Sequence, residues 1–192
     1  MPAKKPPTTS MIDQLTITLK DSQPPMWRRS QVKEDTTLYT LHQIIQIAMR
    51  WTHSPLHQCM ADGVYDGAPD PEYGFAMVNE QRSRRKEIVC HVNDTCLYEY
   101  AFGDGWDHAM LLEKLLEPEA KTRYPPCFTG KRHCPPGERG GVWGYRTFVE
   151  AMGDPDHPEH DEYLEWGEDA FDPEAFDVEE VHRALQHIRC TS

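Results

Sequence analysis

Residues 96–116, CLYEYAFGDGWDHAMLLEKLL, decide the fold. Tyr98, Tyr100 and Phe102 alternate with polar or small residues, and so do His108, Met110 and Leu112 after them. A period of two marks half-buried strands. Between the runs, Gly103-Asp104-Gly105 has the composition of a tight turn. Upstream, Ile88–Val92 and the pair Asn93-Asp94 predict one more strand and one more turn. Residues 88–116 therefore read as an antiparallel meander.

Working outward, IDQLTITLK (12–20) places Leu15, Ile17 and Leu19 on one face and Thr16, Thr18 and Lys20 on the other. Asp21–Pro25 turns the chain, and Met26–Val32 returns as a second strand whose proline-rich approach suggests a sheet edge. Thr36 or Thr37 caps a helix over 37–51, with Leu38, Leu41, Ile45 and Ala48 in a stripe widened by Ile44 and Met49. Leu56–Ala61 is a short strand, and 62–86 is a long excursion. Residues 118–141 contain five prolines, four of them in two Pro-Pro pairs, and read as loop. Helices follow over 143–152 and 158–166. A last one is capped by Asp177-Val178-Glu179-Glu180, with Val178, Val181, Leu185 and Ile188 inward. The sum is α+β: an N-terminal β-hairpin plus helix, an antiparallel β-meander, and an acidic C-terminal helical cap. Residues 1–11 read as a flexible tail and 12–192 as a single domain.

The chain has 192 residues, 27% charged, with a mean hydropathy of −0.73. Five Trp, eight Tyr and six Phe supply a core. The net charge is −12, which argues against nucleic acid, because a duplex binder must displace counterions with a cationic face. No run approaches a membrane span, and MPAKKPPTTS lacks the apolar region of a secretory signal. The expectation is a cytoplasmic acidic protein whose six Cys are reduced thiols. Residues 154–192 hold thirteen Asp or Glu against two Arg: a solvated face, or a surface for a basic partner.

Several phrases carry a resemblance: PPMWRR (24–29), LHQIIQIAMRW (41–51), LHQ (56–58), YEYAFGDGWDH (98–108), YPPCFTGKRHCPPGERGGVWGY (124–145), DPDHPEHDEYLEW (154–166) and FDPEAFD (171–177). From about residue 12 to 185 the chain resembles the family named after the third open reading frame of plasmid pRiA, also known as the insertion-element passenger TnpR family. The resemblance implies a single α+β domain, encoded on plasmids or near mobile elements, without a settled activity. The TnpR label implies a resolvase, yet no serine-recombinase nucleophile segment is recognisable. Family members commonly read CPPED-x-GG where this chain has Cys134-Pro135-Pro136-Gly137-Glu138-Arg139-Gly140-Gly141, so Glu138 stands without the acidic pair. They often carry Asp where this chain has His53.

Candidate chemistry gathers at two places. Asp104, Asp107 and His108 at the glycine turn suit a general base with its orienter, or metal ligands. Asp107 and His108 are adjacent, so they point to opposite faces, and Asp and Gly also suit a purely structural turn. Cys127 and Cys134, with His133 alongside, are a loose zinc pair that Cys59, His57, Cys90 or His91 would complete. Buried thiols or a redox-labile pair are the alternatives. Pro55 keeps His53 and His57 from aligning on a helix, and His57 also reads as a satisfied core residue. His157 and His160 read as solvated cap residues rather than weak metal ligands, His182 and His187 are five apart and do not share a face well, and Arg28 and Arg29 read as partners of the acidic C-terminal helices rather than as an anion or peptide-carboxylate site. No nucleotide-binding loop or hydrolase signature is present.

Two functions follow. One is a non-enzymatic interaction or regulatory module with a protein partner, presenting an apolar patch bordered by Tyr73, Phe75 or Trp166. The other is a metal-assisted hydrolase using Asp104, His108 and His57 or Glu138, with zinc as the candidate ion.

Overall fold

The computed structural model describes residues 10–51, 57–61, 64–67, 78–101, 103–135, 140–165 and 171–188. The hairpin forms as its alternation dictates: β1 (Ile12–Leu19) pairs antiparallel with β2 (Met26–Lys33). Leu15, Ile17 and Leu19 are buried, while Thr16 and Thr18 lie half-buried on the other side. Helix α1 (Leu38–Met49) starts at Thr37, whose side chain accepts from the Thr40 N–H. It ends where Arg50 turns left-handed at φ 58°.

Next come β3 (His57–Ala61), β4 (Val64–Gly67), β5 (Val78–Asn79) and a single-turn helix α2 (Arg85–Ile88). The expected meander is β6 (Thr95–Tyr100) against β7 (Trp106–Leu116), with Tyr98 opposite His108 and Tyr100 opposite Trp106. Strand β8 (Cys127–Lys131) and helices α3 (Gly141–Gly153), α4 (His160–Glu165) and α5 (Val178–Leu185) complete the chain. The eight strands form one sheet in the order β5-β4-β3-β6-β7-β1-β2-β8, antiparallel except for β4 and β5. The buried side chains of β1, β2, β6 and β7 share a core with the inward stripe of α1 and with Val181 and Leu185 of α5.

Three expectations are corrected. Ile88–Val92 is not a strand. Glu87 returns to the Arg84 N–H and closes a helical turn, and the Asp94 carboxylate accepts from the Cys90 and His91 N–H groups a ladder would need. Strand β2 is not an edge, because β8 pairs along its far side. Residues 118–141 are accordingly not all loop. A β-bulge between Arg29 and Ser30 marks how irregular that pairing is.

The edge strand β8 is fixed through Arg28. Its guanidinium is wholly buried, and its five N–H groups meet the carbonyls of Ala48, Trp27, Lys131 and Arg132 and the thiol of Cys134. The Phe176 ring lies 4.0 Å from its central carbon. Ala48 belongs to the last turn of α1, where carbonyls lack helical partners and the helix dipole is negative. One arginine therefore ties β2, the end of α1 and the end of β8 together. A second buried arginine, Arg85, ion-pairs with Asp13 and holds α2 against β1.

Candidate functional site

The chain brings polar chemistry together in the interior and leaves an apolar groove at the surface. The interior cluster starts from the N-terminus of α1. Its Leu38 and Tyr39 N–H groups donate to the carbonyls of Ser83 and Glu80, which sets the 80–85 segment against the helix. That places the Glu80 carboxylate 2.6 Å from His57 Nε2 on β3. His57 stacks on His42 of α1, with ring centroids 3.5 Å apart. His42 Nδ1 is 2.7 Å from the hydroxyl of Tyr98, and the Gln46 side-chain amide donates to the same hydroxyl at 3.1 Å. Burial pushes the Tyr98 phenol well above its ordinary pKa, so it stays protonated between His42 and Gln46.

The sequence candidates fall apart around this cluster. His108 is fully buried between Tyr98 and Trp51, and burial pulls its imidazole down to about 4. Its Nδ1 is 3.4 Å from the Tyr98 carbonyl, and Nε2 has no hydrogen-bond partner among the described residues. Asp107 points to the opposite face, where Lys20 approaches to 3.5 Å. Asp104 uses its main chain: its N–H donates to Ala101, and its carbonyl packs on Gly141. The glycine turn is a corner docked on the start of α3.

Cys127 and Cys134 both lie beside Arg28. Burial raises both thiols, Cys134 to about 11, against the pull of that guanidinium. Cys59 is buried in the core, Cys90 and His91 are exposed at the 90–94 turn, and His57 is held by Glu80. Among the described residues no three His, Cys, Asp or Glu side chains gather as a metal ion requires. His160 Nδ1 approaches the Ala151 carbonyl, and His157 Nδ1 accepts from the Glu159 N–H. Arg29 pairs with Glu113 at 2.6 Å, and Arg28 is ringed by carbonyls, so among the described residues neither engages an acid of the C-terminal helices. Glu138, His53, Tyr73, Phe75 and Trp166 lie outside the described residues.

The groove runs between α3 and the β1–β2 turn and encloses about 300 Å³. Pro24 and Met26 form one wall, and Val142, Tyr145 and Val149 of α3 form the other. Trp143 stands at its lip with 72% of its surface exposed, more than Tyr39, Val92, Leu115 or Phe128. Two salt bridges frame it, Arg132–Glu174 at 2.8 Å and Arg146–Glu150 at 2.9 Å. Sequence reasoning placed a helix here but did not single out Trp143. The signal was present: with Tyr145, Phe148 and Met152 inward, Trp143 shares the outer face with Arg146, Thr147 and Glu150.

The comparisons with known proteins agree with this architecture. Residues 11–180 match the model of the plasmid pRiA4b ORF-3-like proteins. The chain belongs to that family. It is 36% identical over 179 residues to the uncharacterised protein y4hQ of Sinorhizobium fredii, covering 91% of this chain and 90% of the relative. It also resembles the crystal structure of MM3350, a protein of unknown function from Methanosarcina mazei Go1. The TM-score is 0.81 and the identity 35%, over 90% of this chain and 98% of the other. Among the described residues no helix is long and apolar enough to cross a membrane.

Proposed function

We propose that this protein is a non-enzymatic interaction module, and that a segment of a partner protein docks in the groove between α3 and the β1–β2 turn. One observation carries this reading: Trp143 is 72% exposed at the lip of an apolar cavity. Covering an aromatic side chain removes on the order of 150–250 Å² from water. At ~25 cal/mol per Å² this contributes several kcal/mol, the scale of an interface anchor. The walls are a helix and a tight hairpin turn, so little ordering cost is left for binding.

The buried histidine cluster supports the same reading from the other side. His42, His57, Tyr98 and Glu80 satisfy one another inside the core. This network holds α1, β3 and β6 in register.

A photo-crosslinking amino acid at position 143, introduced in a bacterial host, tests the proposal. A discrete protein adduct is expected, absent when the same group replaces Tyr39 on a different surface. The adduct's partner, once purified, should bind the full chain and lose roughly tenfold affinity against Trp143→Ala. A partner that binds the variant and the parent equally would refute the groove.

A further inference from the structure

The groove is acidic in a way its own arginines do not offset. Arg132 and Arg146 both line it, but each is already engaged, by Glu174 and Glu150 respectively. Asp21 adds an exposed carboxylate on the turn side, and the neighbouring Lys20 leans to Asp107 instead. Helix α3 carries no basic residue in its last turn, and Asp154 is its C-cap. Beyond it, residues 154–192 have a net charge of −11 out of −12 for the whole chain. The described residues 154–165 and 171–188 carry eleven Asp or Glu against Arg183, and an acidic excess of this kind speeds the approach of cations and opposes anions.

Resting on the docking reading above, we propose that the groove's occupant is a cationic segment of another protein: a Lys- or Arg-bearing stretch with an aliphatic or aromatic side chain that covers Trp143. The apolar side chain enters between Pro24 and Val149. The cation lies over the exposed indole, which attracts positive charge through its π face. Asp21, the lining carboxylate left over once Glu150 pairs with Arg146 and Glu174 with Arg132, supplies the counter-charge. A second copy of this chain does not suit the groove, because it brings the same −12.

The test is panning of a random-peptide display library on the immobilised full-length chain. Enriched sequences are then synthesised with a fluorophore and measured by anisotropy. The expected winners carry net positive charge and at least one large apolar residue. Their affinity should fall about tenfold between roughly 0.05 and 0.3 M salt, as screening shortens the reach of the acidic field. Trp143→Ala should cost about tenfold, and Glu150→Lys with Glu174→Lys about as much. Both changes lie on exposed side chains, and circular dichroism checks that the fold is kept. Neutral or acidic winners that still require Trp143 would overturn the cationic occupant and leave the docking reading standing. Basic winners indifferent to Trp143→Ala, or no enrichment at all, would overturn both. So would a dimer, seen by light scattering, that Trp143→Ala dissolves.

Discussion

His42 and His57 lie face to face in the interior, their ring centroids 3.5 Å apart and their planes 12° from parallel. Each ring is held by a different element, His42 through Tyr98 of β6 and His57 through Glu80 beside the N-terminus of α1. The stack therefore joins helix to sheet through four side chains that are nearly or fully buried. Tyr98→Phe removes the phenol that the Gln46 amide and His42 Nδ1 share, and should cost about 1–3 kcal/mol. Glu80→Leu leaves His57 Nε2 without its carboxylate and should cost about 2–4 kcal/mol. Urea unfolding of the two variants checks both. Losses within about 0.5 kcal/mol, the range of ordinary surface changes, would mean that the cluster does not hold the helix to the sheet.

His108 predicts an acid-sensitive core. Burial lowers its imidazole from 6.5 to about 4, so between those values the unfolded chain binds a proton that the folded chain does not. Its contribution is fully present above pH 6.5 and is lost as pH falls toward 4, by about 3 kcal/mol in all. Asp13 works in the opposite sense. Burial raises its carboxyl from 3.8 to about 6 despite Arg85, so its contribution falls as pH rises through that window. The two partly cancel in the parent protein, and only a variant separates them. His108→Phe removes the titrating group and should flatten the His108 share of the slope between pH 6.5 and 4. A variant whose stability keeps the parent's difference between pH 7 and pH 4 would show that His108 charges inside the fold.

The parts of this architecture legible in the sequence are those that a single period encodes. The alternation at 12–19 and 96–100 fixes which residues of β1 and β6 face inward, and the stripe Leu38–Leu41–Ile45–Ala48 fixes α1. Strand β8 was not legible, because its five residues include a glycine and follow a Pro-Pro pair. It is held by Arg28, a contact 103 residues away in sequence. Helix α2 was missed because residues 88–92 are apolar enough for a strand, while the deciding bonds come from Glu87 and Asp94 side chains. The interior cluster escaped for the same reason. His57 was singled out, but Glu80 is 23 residues further on and His42 sits in what reads as an ordinary helix.

The 103–105 glycine turn finds its role at Gly141. That residue stands at φ 72°, and a Cβ on it would lie 2.3 Å from the carbonyl oxygen of Asp104. The 103–105 corner and the first residue of α3 thus touch main chain to main chain, which only glycine permits. Gly141→Ala adds left-handed strain, about 1 kcal/mol, to a collision with backbone that no side-chain rotation relieves, and should destabilise by about 2–4 kcal/mol in total. Gly103→Ala meets nothing within 4 Å and should stay within about 0.5 kcal/mol of the parent. Thermal unfolding of the pair tests the contact directly. Because α3 also forms a wall of the Trp143 groove, Gly141→Ala should weaken partner binding without touching the groove's own residues. Equal stability of the two alanine variants would mean that the corner and the helix are not coupled through this contact.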